Sequence, residues 1–464
     1  MAGLFDGLEI GKRALATHQL WLNIIGHNIA NVNTPGYTRQ RVDISTTYPM
    51  DHPVGLIGTG VTATDVHHIR DLFLNQQFRA ENRSLGRWSS AEKAISQVEA
   101  LFAEPNSDAL GDLIDKFWNS WTELGNNPES MAARTSLKEQ TNLLCSSLNR
   151  LYRHIDNLRS SVNNEISLAV DKINTLTAEI ASLNMQIGRA ELGSARANDL
   201  RDQRDLLIDE MSQYVDVNSR EDNNGMTTVY IGAMVVVDGS SSYALDTVQD
   251  KNGEKSVDEV IWKGTTRKIK ILDGQIKGLI DVRDQEIPGY LAALDELAKS
   301  LVENVNAVHR SGYGLDGTTG LDFFDPDRVS AADIRINAEI DRVPARLAAS
   351  QSGEVGDNRN ALAIADLRNV KVLMGGTATI GEFYNSVIGL IGIDAAKAKT
   401  HKNNYQLLVA QLANARESVQ GVSLDEEMTQ MIKFQHAYDA AARVITTMDQ
   451  SLETVIKGMG IVGR

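Results

Sequence analysis

Residues 30–40 read ANVNTPGYTRQ, and they end a long amphipathic run abruptly. In that run Leu4, Leu8, Gly11, Leu15, His18, Leu22, Ile25 and Ile29 step alternately by four and three, which is a heptad seam with Gly11 and His18 as its weak members. Asn is tolerated in the left-handed conformation that closes many helices, so Ala30 to Asn33 reads as a helix end. Pro35-Gly36 fits the centre of a type II turn, because proline presets φ and glycine accepts a positive one. From Tyr37 to Ile44 the residues alternate as a strand does. The stretch is therefore a helix-to-strand corner that turns the chain away from its first helix.

The other end repeats the seam. Phe434, Tyr438, Ala441, Ile445, Met448, Leu452, Val455 and Met459 step in the same way. A heptad seam needs a partner. Pairing the two ends as one terminal coiled coil makes Leu4, Leu8, Leu15, Leu22, Ile25 and Ile29 on one side, and Tyr438, Ile445, Met448, Leu452 and Val455 on the other, the candidate assembly residues. The alternative is two ordinary amphipathic helices, each packed on its own domain.

Between the ends the pattern is mostly helical. Helical spacing runs from near Ile69 to about Leu101 and stops before Pro105; a shorter helix spans Leu110 to Leu124, with Phe117, Trp118 and Trp121 as core candidates. After Pro128 there is no proline until Pro288, and heptad spacing runs from Leu144 to Val162 and again from Ala169 to Ile187, with a drift at Glu165-Ile166. That predicts a helix of about 50 residues, or about 75 Å. A charged helix follows from Asn198 to Tyr214, then a β-rich stretch over 215–282, then a helix from Tyr290 to Arg310. The remainder is irregular to about Arg359 and then helical, with breaks near Gly375-Gly376 and Gly421. The expected units are 1–45, a helical middle in two parts (46–214 and 283–420), a small β-rich insertion at 215–282, and 421–464. The fold class is mainly α with a smaller β-rich part, elongated and multi-domain.

Composition narrows the function. The 464 residues carry 61 acids against 46 bases, a net charge of -15, and no basic block. Nucleic acids and anionic membranes both demand clustered Lys and Arg, so neither is an expected partner. The start of the chain sets Asp6, Glu9, Lys12 and Arg13 among its apolar residues and does not read as a secretory signal. Cys145, the single cysteine, sits in an apolar helical pattern and reads as a buried, inert thiol.

Chemistry-bearing motifs are absent. Neither HExxH nor GxSxG occurs. Gly253-Glu254-Lys255-Ser256 mimics the tail of a phosphate-binding loop without its first glycine. His67-His68 lack helical spacing and any acid pair beside them in the sequence. Residues 312–320, with Asp322, Asp325 and Asp327, are acidic but miss the alternating ligand order of a calcium-binding loop. No catalytic residue, cofactor or metal is expected, and an enzyme is the disfavoured class.

Asn28-Ile29 followed by ANVNTPGYTRQ resembles the N-terminal motif of bacterial flagellar rod, hook and hook-associated proteins, with Asn31, Thr34, Pro35, Gly36 and Tyr37 as the motif turn. NDLRDQRD at 198–205, Asn306-Ala307-Val308-His309 with Gly312-Tyr313 and Asp316-Gly317, GDNRN at 356–360 and GVSLDEE at 421–427 are similar to members of that family at the hook–filament junction, and the likeness extends over nearly the whole chain. The resemblance implies terminal helices paired in a coiled coil that lines the flagellar channel, a helical middle domain, and type III export to an extracellular site on the flagellum. It implies self-association in a ring, contact with hook protein and with a second junction protein, and a cytoplasmic export chaperone on the C-terminal segment. Family members often carry a large outer β domain after an Asp-Phe-Phe segment. Only about 30 residues separate Phe324 from Gly356 here, too few for one, so that domain is expected to be reduced. The competing readings are another axial subunit, of the hook or distal rod, and a secreted coiled-coil adhesin.

Overall fold

A computed structural model describes residues 2–52, 55–102, 109–193, 195–222, 224–250 and 257–459. The chain is mainly helical, with small antiparallel sheets. Helix α1 (Ala2–Ala30) leads into strands β1 (Gln40–Thr46), β2 (Met50–His52), β3 (Gly55–Ile57) and β4 (Val61–His68), with β1 paired to β4 and β2 to β3. Helices α2 (Leu72–Phe102), α3 (Leu110–Asn126), α4 (Met131–Ala190) and α5 (Asn198–Tyr214) follow. Strands β5 (Val217–Glu221), β6 (Thr227–Ile231), β7 (Met234–Asp238) and β8 (Ser241–Ser242) form a meander beside the hairpin β9 (Leu245–Asp250) and β10 (Val257–Trp262). Helices α6 (Gln275–Asp281), α7 (Ile287–His309), α8 (Ala338–Arg342), α9 (Arg359–Asp366), α10 (Ile380–Gln420) and α11 (Leu424–Met459) complete the chain.

Helix α4 has 60 residues, about 90 Å at 1.5 Å per residue, longer at its N-terminal end than the heptads alone predict. Ser130 caps it, its Oγ accepting from the Ala133 amide at 3.2 Å. The drift is absorbed without a break: Val162, Ile166 and Ala169 are buried, so Ile166 takes the inward place in one extra four-residue step. Against α4 pack α3, α5 and α7, while α2 pairs with α10. Phe117, Trp118 and Trp121 lie in the core, where Phe323 and Phe324 complete an aromatic cluster.

Three sequence expectations need correction. The β-rich stretch is shorter than 215–282, because its last strand ends at Trp262 and Gly274, at φ 94°, starts α6. The chain then stays helical through a π turn at 282–286 into α7, and Pro288 lies in the first turn of α7, where a missing N–H is tolerated. Val229, Ile231, Val236 and Val237 share one core with α4, so the sheet is an annex of the bundle. Among the described residues only Met374 combines a side chain with positive φ, so neither Asn31 nor Asn33 closes α1 in the left-handed form. Instead the Asn31 side chain donates to the His27 carbonyl at 3.0 Å and accepts from Thr34 Oγ1 at 3.1 Å. The type II turn is present: Gly36 has φ 78° and the Tyr37 amide donates to the Thr34 carbonyl at 3.1 Å. The strand begins at Gln40 rather than Tyr37.

Residues 325–356 hold α8, a short 3₁₀ turn and isolated bridges, and Ile334, Ile336, Ile340 and Leu347 among them belong to the bundle core. Buried His309 pins this layer, Nδ1 donating to the Leu321 carbonyl at 2.8 Å and Nε2 accepting from the Ala348 amide at 2.9 Å. Arg134 adds a second pin, its guanidinium donating to the carbonyls of Pro128 and Leu347.

Candidate assembly site

Helices α1 and α11 run antiparallel, since Gly7 meets Met448, Gly11 meets Ile445, Trp21 meets Phe434 and Asn28 meets Glu427. Two glycines let the helices close. A Cβ on Gly11 would stand 2.7 Å from Ile445 Cγ1, and one on Gly7 would stand 2.9 Å from Met448 Cε. Further along, Trp21 stacks on Phe434 at 4.4 Å and Ile25 is fully buried. Of the sequence candidates, Ile25, Ile445 and Met448 lie in this seam. Leu8, Leu15, Leu22 and Ile29 are half-buried, one position round from the line of Gly7, Trp21 and Asn28. Tyr438 and Leu452 are half-buried, Val455 is exposed, and the Leu4 and Met459 side chains lie outside the described residues.

The corner is where the quoted motifs converge. Asn28, 1% exposed, accepts at Oδ1 from Tyr37 Oη at 2.7 Å and the Gln40 amide at 3.0 Å, while its Nδ2 donates to the Gln40 carbonyl at 3.0 Å and Glu427 Oε2 at 3.1 Å. One side chain thus ties the end of α1 to the turn, to β1 and to α11. Glu427 is buried and also takes Arg39 Nε at 2.6 Å; Arg39 Nη1 reaches Glu426 at 2.6 Å. The GVSLDEE motif therefore supplies the acids that hold the arginine of the opening stretch. Gly36 is required twice over, by its φ and because a Cβ would lie 3.2 Å from Leu206.

On the other side stands the NDLRDQRD helix. Asp199, Asp202, Asp205 and Asp209 share one face of α5 at spacings of three, three and four. Asp202 accepts from the Thr38 amide at 2.8 Å, from Thr38 Oγ1 at 2.7 Å and from His68 Nδ1 at 3.0 Å. Asp199 accepts from Gln40 Nε2 at 2.6 Å. Asp205 meets Arg70 and Arg79, and Asp209 meets Arg79 at 2.5 Å and Arg416 at 2.8 Å. Burial, then the charges of Asp199, Asp202 and Glu427, push the Tyr37 phenol far above its usual range. Desolvation lowers the Arg70 guanidinium to about 10, opposed by the charge of Asp202. These motifs are visible in the sequence, but the parts played by Asn28, Arg39, Asp202 and Glu427 are not. Four acids on one helix face were the available signal that basic partners must cover them.

Elsewhere, His67 and His68 point to opposite faces of β4, as successive strand residues do. His68 joins the corner, whereas His67 lies beside Asp43 and Asp65, an acid pair the sequence order did not reveal. In the acidic loop, Asp316 pairs with Arg346, Asp322 with Arg310 and Asp325 with Arg335. Residues 253–256 lie outside the described residues. Cys145 is buried, and burial pushes its thiol up to about 12. Among the described residues no helix is long and apolar enough to cross a membrane.

Over its whole length, and the whole length of the relative, the chain is 34% identical to flagellar hook-associated protein 1 of Bacillus subtilis. The chain belongs to the flagellar hook-associated protein 1 family. Escherichia coli hook-associated protein 1 is 25% identical, over 98% of this chain and all of that protein, and the Salmonella typhimurium protein is 26% identical over 94% and 97%. The family model for the FlgK helical domain matches residues 95–324, which takes in α3 to α7 and the sheet annex. Models for the flagella basal body rod protein and for the C-terminal part of flagellar basal body rod FlgEFG proteins match 8–38 and 417–457. Those two ranges contain most of α1 with its turn and most of α11. In fold, the chain resembles the flagellar hook junction protein FlgK of Burkholderia pseudomallei, with TM-score 0.66, 18% identity, and coverage of 74% of this chain and all of that one. A hook-associated protein 1 is a structural protein of the flagellum at its hook–filament junction, so the hook, rod and adhesin readings give way.

Proposed function

We propose that this protein joins hook to filament as a subunit of a ring, and that it assembles through its two terminal helices after type III export. The role is structural rather than catalytic. The carrying observation is the corner itself, where Asn28, Arg39 and Glu427 lock the start of α11 to the end of α1 and Asp202 locks the turn to the bundle. At the far end of the coil from that lock, apolar surface stays uncovered among the described residues: Phe5 is 57% exposed and Ile456 68%. Such surface is costly in water and is what neighbouring subunits would bury. Hook protein on one side and a second junction protein on the other are the proposed axial contacts, with a chaperone covering the C-terminal segment before export. Deleting the gene and imaging cells by electron microscopy tests this. Hooks without filaments, with flagellin shed into the medium, are expected. Loss of the hooks as well, or intact functional flagella, would overturn the assignment.

A further inference from the structure

We propose that Asp43, Asp65 and His67 form a binding site for a first-row divalent cation, Zn²⁺ being the best match, on the hairpin that leaves the corner. Asp43 and Asp65 are direct cross-strand partners, and His67 lies two residues beyond Asp65, so all three side chains share one face of the β1–β4 pair. Their ligand atoms lie within 4.8 Å of one another. The His67 Nδ1 to Asp43 Oδ2 distance is 3.1 Å. Two donors bound to one Zn²⁺ at about 2.0–2.1 Å in a tetrahedron stand about 3.4 Å apart, so zinc takes the place of the His67–Asp43 ion pair with little movement of either side chain. A mixed imidazole–carboxylate set suits zinc, whereas magnesium and calcium prefer oxygen alone.

The local backbone favours the same conclusion. The pairing register slips immediately after Asp43, and a bulge re-aims the side chains around it. Two like charges placed directly opposite each other are unfavourable unless a cation lies between them. At present the compensation is partial. Arg196 reaches Asp65 Oδ2 at 3.1 Å from a half-exposed position, Asp65 Oδ1 takes the Val66 amide, and Arg41 sits opposite His67 on the same face. Arg196 is therefore a competitor that a metal ion would displace, and the effect of its removal on metal binding tells a metal site from a set of ion pairs.

Full-length protein, freed of metal by chelator, would be titrated calorimetrically with ZnCl₂. One ion per chain is expected. His67→Ala and Asp65→Asn should each weaken binding at least about tenfold, and Arg196→Ala should strengthen it, with circular dichroism confirming the fold. Asp43→Asn, at a more exposed position, serves if either ligand variant fails to fold. Absence of binding in both the parent and Arg196→Ala overturns the proposal, as does binding of parental strength in His67→Ala.

Discussion

Replacing Asp202 by alanine tests whether the corner is held by the bundle. Asp202 is buried and is the acceptor for both the amide and the hydroxyl of Thr38, itself buried. Removal leaves a buried N–H without a partner, which costs about 1–3 kcal/mol, and removes charge-assisted bonds worth about 1.5–3 kcal/mol each. Because water can partly refill the space and Gln40 still reaches Asp199, a net loss of about 3 kcal/mol is the working figure. That corresponds to an opening equilibrium raised about 150-fold. Native-state hydrogen exchange reads it directly: the Thr38 amide should lose protection by about that factor, while core amides of α4 such as Ile155 and Ile173 keep theirs. Asp202→Asn, which keeps one oxygen, should lie between the two. Protection at Thr38 unchanged within about threefold would show that Asp202 does not hold the corner, and so would a loss spread evenly over the bundle.

Ile445→Asp places a carboxylate against Gly11 in the terminal seam and should abolish filament growth, while circular dichroism and urea unfolding of the bundle stay unchanged; normal filaments would count against assembly through the terminal coil. His309 gives a signed pH dependence. Desolvation lowers its pKa from 6.5 to about 4, so the folded state keeps it neutral while the unfolded chain takes up a proton below 6.5. Stability must therefore fall as pH drops from 6.5 to about 4, by about 3 kcal/mol in all, and level off below; urea midpoints across that range check it, with His309→Gln expected to flatten the slope. Cys145 should resist a thiol reagent at pH 8 in native protein and react once urea unfolds it, because burial suppresses the thiolate; rapid stoichiometric labelling of the native chain would contradict this.

The seam of α11 was legible because its inward residues, such as Phe434, Ile445 and Met448, are large and apolar. The matching line on α1 was legible only in part, at Gly11 and Ile25. Gly7 and Asn28 carry no hydrophobic signal, so there periodicity selected the leucines one position round. The type II turn was legible because Pro35 and Gly36 restrict φ locally. The Asn31 cap was not, since a side-chain bond to His27 replaces the left-handed residue. Helix α6 has seven residues and no room to show a period. The corner partners Arg70, Arg79 and Arg416 come from segments far apart in sequence, so the acids of α5 could be seen but not their occupants.

Why should so much polar chemistry be buried at one end of an apolar coil? Buried ion pairs contribute little net stability against well-packed apolar side chains, but breaking one costs about 3–5 kcal/mol. In the seam, Gly7 and Gly11 admit Met448 and Ile445 closely, and Trp21 stacks on Phe434. A shift by one turn would carry Glu427 away from Arg39 and Asn28, leaving a buried carboxylate and a buried amide without partners. The corner therefore sets the register of the coil from one end, and Thr38 on Asp202 sets its direction relative to the bundle. The opposite end, where Phe5, Val455 and Ile456 are exposed, has no such lock among the described residues. A coil fixed at its base and unfinished at its tip presents its apolar surface in one defined direction, which is what a subunit added in sequence to a growing axial structure requires.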